Sequence, residues 1–262
     1  MSQKSAGRLA GKRAFVTGAG SGIGRAIVHR LVEDGIEAVT VADVRQDRVE
    51  QVAAELEGRG TQVLPMAADM GDPDQIRTSV AAAAERMGGL DVMVANHAIV
   101  SSGTFLTEEL EAWNRVFAVN TASYFLLAQC AAKEMMAAGH GGVILFTGAA
   151  VERGGATGHG IAYGSSKWAV LGMVKGMAVM LAPHGIRVCA VSPGAVDTNL
   201  AIDAAGEEAG RKAKEGAARG LAIGRMARPE ELAAMYAFLA SDEASYVSGS
   251  NHWVDGGWMG PS

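Results

Sequence analysis

RAFVTGAGSGIGRAIVHRLVEDG, residues 13–35, is the stretch whose reading decides the fold. Arg13–Thr17 reads as a short apolar strand, and 23–34 repeats apolar side chains at helical spacing. Between them, TGAGSGIG at 17–24 puts glycine where the turn demands unusual dihedrals and where backbone must approach a pyrophosphate closely. Amides at the helix N-terminus then bind the anion. A plain tight turn would use the same glycines, so the next strand matters. It ends at Asp43, 19 residues after Gly24, where a carboxylate can accept hydrogen bonds from the adenosine ribose hydroxyls. The same carboxylate repels a 2′-phosphate, and no basic residue stands between Gly18 and Gly24. NAD is therefore expected over NADP, with Arg45 the nearby cation that argues the other way.

The alternation continues along the chain. Further strands are predicted at Ala38–Ala42, Gln62–Ala67, Asp91–Ala95, Val143–Thr147, Ile186–Val191 and Asn251–Val254, most of them apolar on both faces. Helical patterns fall near 46–57, 73–87, 108–138, 162–182 and 229–240. Strand, helix, strand, helix calls for an α/β chain: a Rossmann-like, doubly wound parallel sheet of about seven strands with helices on both faces. Ligands collect at the C-terminal ends of such strands. No linker divides the 262 residues, so 1–262 reads as a single domain. The polar, Ala/Gly-rich segment 198–224 suits a substrate lid within it. Asp69, closing the third strand, could reach the adenine amino group or cap the turn before GDPD.

A formal net charge of −5 and a pI near 5.7 argue against a nucleic-acid surface and favour small-molecule partners. The cationic opening MSQKSAGRLAGKR leads into no signal-peptide core and no apolar run is long enough for a bilayer, so a cytoplasmic protein with no membrane partner is expected. Cys130 and Cys189 read as buried thiols. His29, His140, His184 and His252 lack metal-ligand spacing, and no metal is expected. Trp253 and Trp258 flank VDGG, where interface and core roles both stand.

YGSSK, residues 163–167, sets Tyr163 and Lys167 four apart on one helix face. An ammonium there can hold down the pKa of a phenol and let it act as acid or base nearer neutral pH, as carbonyl/alcohol interconversion requires. Taken alone, the same spacing also describes a surface pair.

With these pieces in order, the chain from Gly11 to Gly257 resembles the classical short-chain dehydrogenase/reductase family. The resemblance rests on TGAGSGIG, Asp69, Asn96 after the fourth strand, Asn120 in FAVNTAS, YGSSK, SPGAVDT at 192–198 and SGSNHWVDGG at 248–257. It implies an NAD-dependent oxidoreductase that moves a hydride between nicotinamide and a secondary alcohol or ketone, as a homotetramer. Tyr163 would be the acid/base. Lys167 would bind the nicotinamide ribose and lower the tyrosine's pKa, and Asn120 would hold a relay water. Gly18, Ser21, Ile23, Gly24, Asp43, Asp69, Met70 and Asn96 would bind the rest of the cofactor. Pro193, Gly194, Val196 and Thr198 would line its nicotinamide and pyrophosphate side.

Two departures qualify that expectation. Asn-Asn-Ala-Gly after the fourth strand reads Ala-Asn-His-Ala at 95–98, which puts His97 beside the cofactor in a packing, hydrogen-bonding or ligand-touching role. The family's serine after the fifth strand falls at Gly148 by strand alignment, or at Ala150 counting back from Tyr163, and neither has a hydroxyl. Thr147, Thr157, His159 or the substrate would have to replace it. Failing that, the chain would be a dinucleotide-binding protein with little or no catalysis.

Overall fold

The computed structural model describes residues 7–101, 103–150, 160–199, 206–208 and 221–258. Seven strands form one sheet: β1 Arg13–Thr17, β2 Ala38–Asp43, β3 Gln62–Ala67, β4 Val92–Ala95, β5 Gly142–Thr147, β6 Ile186–Pro193 and β7 Asn251–Val254. All neighbours pair in parallel, in the order β3-β2-β1-β4-β5-β6-β7. The strand order reverses between β1 and β4, and that crevice is where a doubly wound sheet holds ligands.

Among the described residues the α-helices are α1 Gly22–Glu33, α2 Gln46–Glu55, α3 Pro73–Met87, α4 Leu110–Phe117, α5 Ser123–Ala138, α6 Ile161–Leu181 and α7 Pro229–Ala240. Side chains alternate across each strand, so one sheet needs two cores. Val16, Val41, Val94, Leu145 and Val191 pack against α1, α2 and α7. Phe15, Met93, Phe146 and Ala190 pack against α3, α5 and α6 on the other face. Helix ends follow local chemistry. Asp72 caps α3 by accepting from the Asp74 and Gln75 amides at 2.9 and 3.3 Å, and α3 ends at Gly88 with φ +74°.

The predicted helix 108–138 is two helices joined by a π-helical segment, Ala118–Ala122. β4 begins at Val92 rather than Asp91, β2 extends to Asp43, and β6 runs on to Pro193. The segment 198–224 lies largely outside the described residues, as do Thr157 and His159.

Candidate active site

Strand register assembles the site. β1–β2 pairing aligns Thr17 with Ala42 and so brings Gly18 level with Asp43, while β4–β5 pairing aligns Ala95 with Phe146 and brings Asn96 level with Thr147. Gly18 has φ +59°, and a Cβ there would meet the His97 Cα at 2.8 Å. A Cβ on Gly24 would run into the Gly18 carbonyl and the Asn96 amide. The turn is thus pressed onto the start of the segment after β4.

The features expected of a dinucleotide cradle lie around that turn. Ser21 stands at the N-cap of α1 in extended conformation and makes no side-chain cap, so no hydroxyl competes for the helix's first amides. Ile23 packs on the core below. Asp43 accepts from the Gly20 and Arg45 amides, each at 3.1 Å, which fixes its carboxylate at the turn. The Arg45 guanidinium is turned to Asp47, at 3.0 and 2.9 Å. Arg48, unremarked in the sequence, is the cation that reaches Ser21, at 3.5 Å. Thr198 lies against Gly22, where a Cβ would meet its methyl at 3.1 Å. Gly194 donates to the Val254 carbonyl at 3.0 Å, and Val196 bridges to Ala227, so the chain after Pro193 runs along the same edge. These residues fit a dinucleotide.

Asp69 accepts from the Gly71 amide at 2.7 Å, the turn-capping role left open by its sequence position, and Met70 is buried behind it. Asn96 works as a staple: its Nδ2 donates to the Thr17 and Gly18 carbonyls, both at 3.3 Å, while its Oδ1 accepts from the Thr147 hydroxyl at 3.1 Å. Thr147 in turn accepts from the Tyr236 phenol at 2.6 Å. The Thr147 hydroxyl is therefore engaged by Tyr236 and Asn96, and it also meets the Tyr124 phenol of α5. Phe146 faces the α6 side, where Tyr163 and Lys167 are carried.

His97 is held by three elements. The Val119 carbonyl, 3.0 Å from Nε2, can only accept, which sets the ring proton on Nε2 and leaves Nδ1 to accept the Thr17 hydroxyl at 2.8 Å. Burial, and after it the nearby Lys167 ammonium, pushes the imidazole down to about 3, so the ring is neutral. Both ring nitrogens thus bond to the protein.

Lys167 is fully buried, as is Asn120. The Asn120 side chain accepts from the Ile99 amide and donates to the Ile99 carbonyl, both at 2.9 Å, and donates to Ser166 at 3.2 Å, which ties the π segment to α6. Lys167 Nζ donates to the Thr147 carbonyl at 2.8 Å and to the Tyr124 hydroxyl at 3.3 Å. It lies 5.8 Å from the centroid of the Tyr163 ring. Tyr163 itself is 7 % exposed. Tyr124 and Tyr236 carry no motif, and only the burial implied by their helical spacing could have drawn attention to them.

The family described as Enoyl-(Acyl carrier protein) reductase matches residues 18–259. 3beta-hydroxysteroid dehydrogenase 2 of Eggerthella lenta is 34% identical over 257 residues, covering 95% of each chain. Cis-4-hydroxycyclohexanecarboxylate dehydrogenase of Sinomonas cyclohexanicum is 39% identical over 246 residues, 94% of this chain and 95% of the other. The crystal structure of a short-chain type dehydrogenase/reductase from Mycobacterium marinum superposes with a TM-score of 0.90 at 38% identity and covers 97% of both chains. The chain belongs to the classical short-chain dehydrogenase/reductase family. Its relatives are oxidoreductases acting on small molecules, and the family uses nicotinamide cofactors. Among the described residues no helix is long and apolar enough to cross a membrane.

Proposed function

We propose that this protein is an NAD-dependent oxidoreductase that interconverts a secondary alcohol and a ketone, with Tyr163 as acid/base. The observation that carries this reading is the buried Lys167 ammonium, anchored by the Thr147 carbonyl and set 5.8 Å from the Tyr163 ring centroid beside the glycine turn. A cation there favours phenolate over phenol, so Tyr163 Oη can take the proton of an alcohol or return it to a carbonyl oxygen. When bound, the nicotinamide takes up or supplies the hydride. Gly18, Ser21, Ile23 and Gly24 would hold the pyrophosphate side. Asp43 would take the adenosine ribose, with Asp69, Met70 and Asn96 nearby and Pro193, Gly194, Val196 and Thr198 along the nicotinamide side. Asn120 braces the π segment against α6. The two relatives named above are dehydrogenases of hydroxy compounds, which supports the substrate class.

In this reading 1–262 works as one domain with 198–224 over the substrate. The free thiols Cys130 and Cys189, both less acidic than usual through burial, suit a reducing cytoplasm. Exposed apolar side chains on α5 and α6, among them Phe125, Trp168 and Val179, support a homotetramer.

Tyr163→Phe should lower turnover by roughly three powers of ten while NADH binding, followed by fluorescence, stays near wild type. Lys167→Ala should damage both. Wild-type turnover in the Phe variant would refute the assignment of the acid/base. A second reading, a dinucleotide-binding protein with little catalysis, draws on the engaged Thr147 hydroxyl and on Gly148 and Ala150, which bring none. Absence of turnover with a panel of cyclic and acyclic secondary alcohols, in protein that binds NADH, would favour it.

A further inference from the structure

Three of the chain's four tyrosines gather near the end of β5. Tyr124, on α5, is fully buried. Its hydroxyl donates to the His97 carbonyl at 2.9 Å, which commits its only proton, and its lone pairs accept from Lys167 Nζ at 3.3 Å. The same ammonium lies 4.9 Å from the Tyr124 ring centroid, within cation–π range. The ring is wedged edge-on against His97, centroids 5.1 Å apart, and tilted against Phe146 at 5.4 Å. A side chain so confined presents its oxygen to Lys167 in one place.

We propose that Tyr124 is a positioning residue of the active site, whose phenol oxygen holds the Lys167 ammonium against the Tyr163 ring. This rests on the reading of Tyr163 as acid/base. A buried ammonium is disfavoured unless acceptors replace its water, and Thr147 from β5 and Tyr124 from α5 supply two. Among the described residues, titratable groups facing it include Tyr163 on its own helix and His97 after β4. His97 is neutral, so it brings no second positive charge to oppose Lys167. Burial, followed by the nearby Tyr236 and Tyr163 phenols, raises the Tyr124 phenol well above its ordinary range. Tyr124 therefore stays protonated across the working pH range and acts as a fixed dipole rather than as an acid or base.

Tyr124→Phe removes only the oxygen and keeps the ring that packs on His97 and Phe146. A hydrogen bond to a charged group shifts an equilibrium by roughly ten-fold or more, so Lys167 should hold its charge less well and support the Tyr163 phenolate less. The rising limb of the pH profile for alcohol oxidation should move to higher pH. Turnover on the low-pH side of the limb should fall about ten-fold, with the alcohol KM little changed. A tyrosinate absorbance titration of cofactor-free protein provides a readout independent of turnover: the component missing from Tyr163→Phe should appear at higher pH in Tyr124→Phe. Tyr236→Phe is the control. Its equally buried phenol meets the Thr147 hydroxyl and not Lys167, so it should lose stability without moving either midpoint. If the Phe variant does not fold, Tyr124→Met, which also lacks the acceptor, carries the same expectations. Midpoints unmoved in a folded Tyr124 variant, or moved equally by Tyr236→Phe, overturn the proposal. Unmoved midpoints beside an inactive Tyr163→Phe sink the positioning role alone, whereas an active Tyr163→Phe sinks the reading beneath it.

Discussion

Replacing Thr147 by valine exchanges one hydroxyl for a methyl of nearly the same shape, and the structure says what that hydroxyl does. It is 6 % exposed, accepts from Tyr236 at 2.6 Å and donates to Asn96 Oδ1 at 3.1 Å. In Thr147→Val a buried phenol loses its acceptor and a carbonyl oxygen loses its donor. Each stranded group costs roughly 1–3 kcal/mol, and with partial relaxation a loss of about 3 kcal/mol is expected. For a chain of this size that is a fall in Tm of about 6–12 °C. Because Asn96 holds the glycine turn through the Thr17 and Gly18 carbonyls, the KM for the cofactor should rise a few-fold. Turnover at saturation should change by less than about three-fold, since the hydroxyl is engaged by Tyr236 and Asn96; a lost oxyanion donor would instead cost two to three powers of ten. Urea unfolding and steady-state kinetics on the same preparations measure both quantities. A cycle with Tyr236→Phe should show a coupling of about 1 kcal/mol or more, because the double variant strands fewer groups than the singles together. A hundred-fold drop in kcat at unchanged stability would refute the reasoning and place the Thr147 hydroxyl on the substrate.

Asp43→Ala should narrow the preference for NAD(H) over NADP(H), measured as a ratio of kcat/KM values. A wild type that prefers the phosphorylated cofactor would overturn the assignment of Asp43 and make Arg48, which stands at Ser21, the selecting cation in place of Arg45. His97 sets an acid limit on stability. Its pKa falls from 6.5 to about 3 on folding, so between those values the unfolded chain holds a proton that the folded chain lacks, and stability is lost as pH drops below 6.5. The slope is at most about 1.4 kcal/mol per pH unit, approached only between those two values. His97→Gln should flatten the curve, and identical slopes in the two proteins would remove His97 as its cause.

How far the site was legible depends on the range of the interactions that build it. The strands and the glycine turn could be read because each follows from neighbouring residues: β1, β2 and β4 are apolar on both faces, and Gly18 and Gly24 sit where no Cβ fits. Thr147 was legible in principle. Side chains alternate along β5, so once Phe146 is assigned to the α6 face, Thr147 must point to the opposite one. The aligned motif obscured this, since it treats the strand end as a list of positions rather than as a pleat. The π segment was not legible, because Asn120 is fixed by Ile99 and Ser166, 21 and 46 residues away. Nor was the contact between Tyr124 and Lys167, 43 residues apart, which no spacing rule joins.

Those long-range contacts converge on one residue. The Thr147 side chain belongs to one face of the sheet, where it links Tyr236 on α7 through Asn96 to the glycine turn. Its carbonyl accepts from Lys167, which Tyr124 holds from α5. The proposed cofactor cradle and the proposed acid/base pair are thus braced from opposite sides of a single peptide at the end of β5. Pairing beyond that peptide keeps it in place: the Gly148 amide donates to the Val191 carbonyl at 2.8 Å, and Ala150 to Pro193 at 2.7 Å. A strand end held this way keeps Lys167 and the glycine turn in fixed relation whether or not the next residue carries a hydroxyl. In the proposed reading the missing serine concerns the substrate's oxygen and not this brace. The test of that separation is the one above: a Thr147 variant should lose stability and cofactor affinity together, while the chemistry at Tyr163 continues.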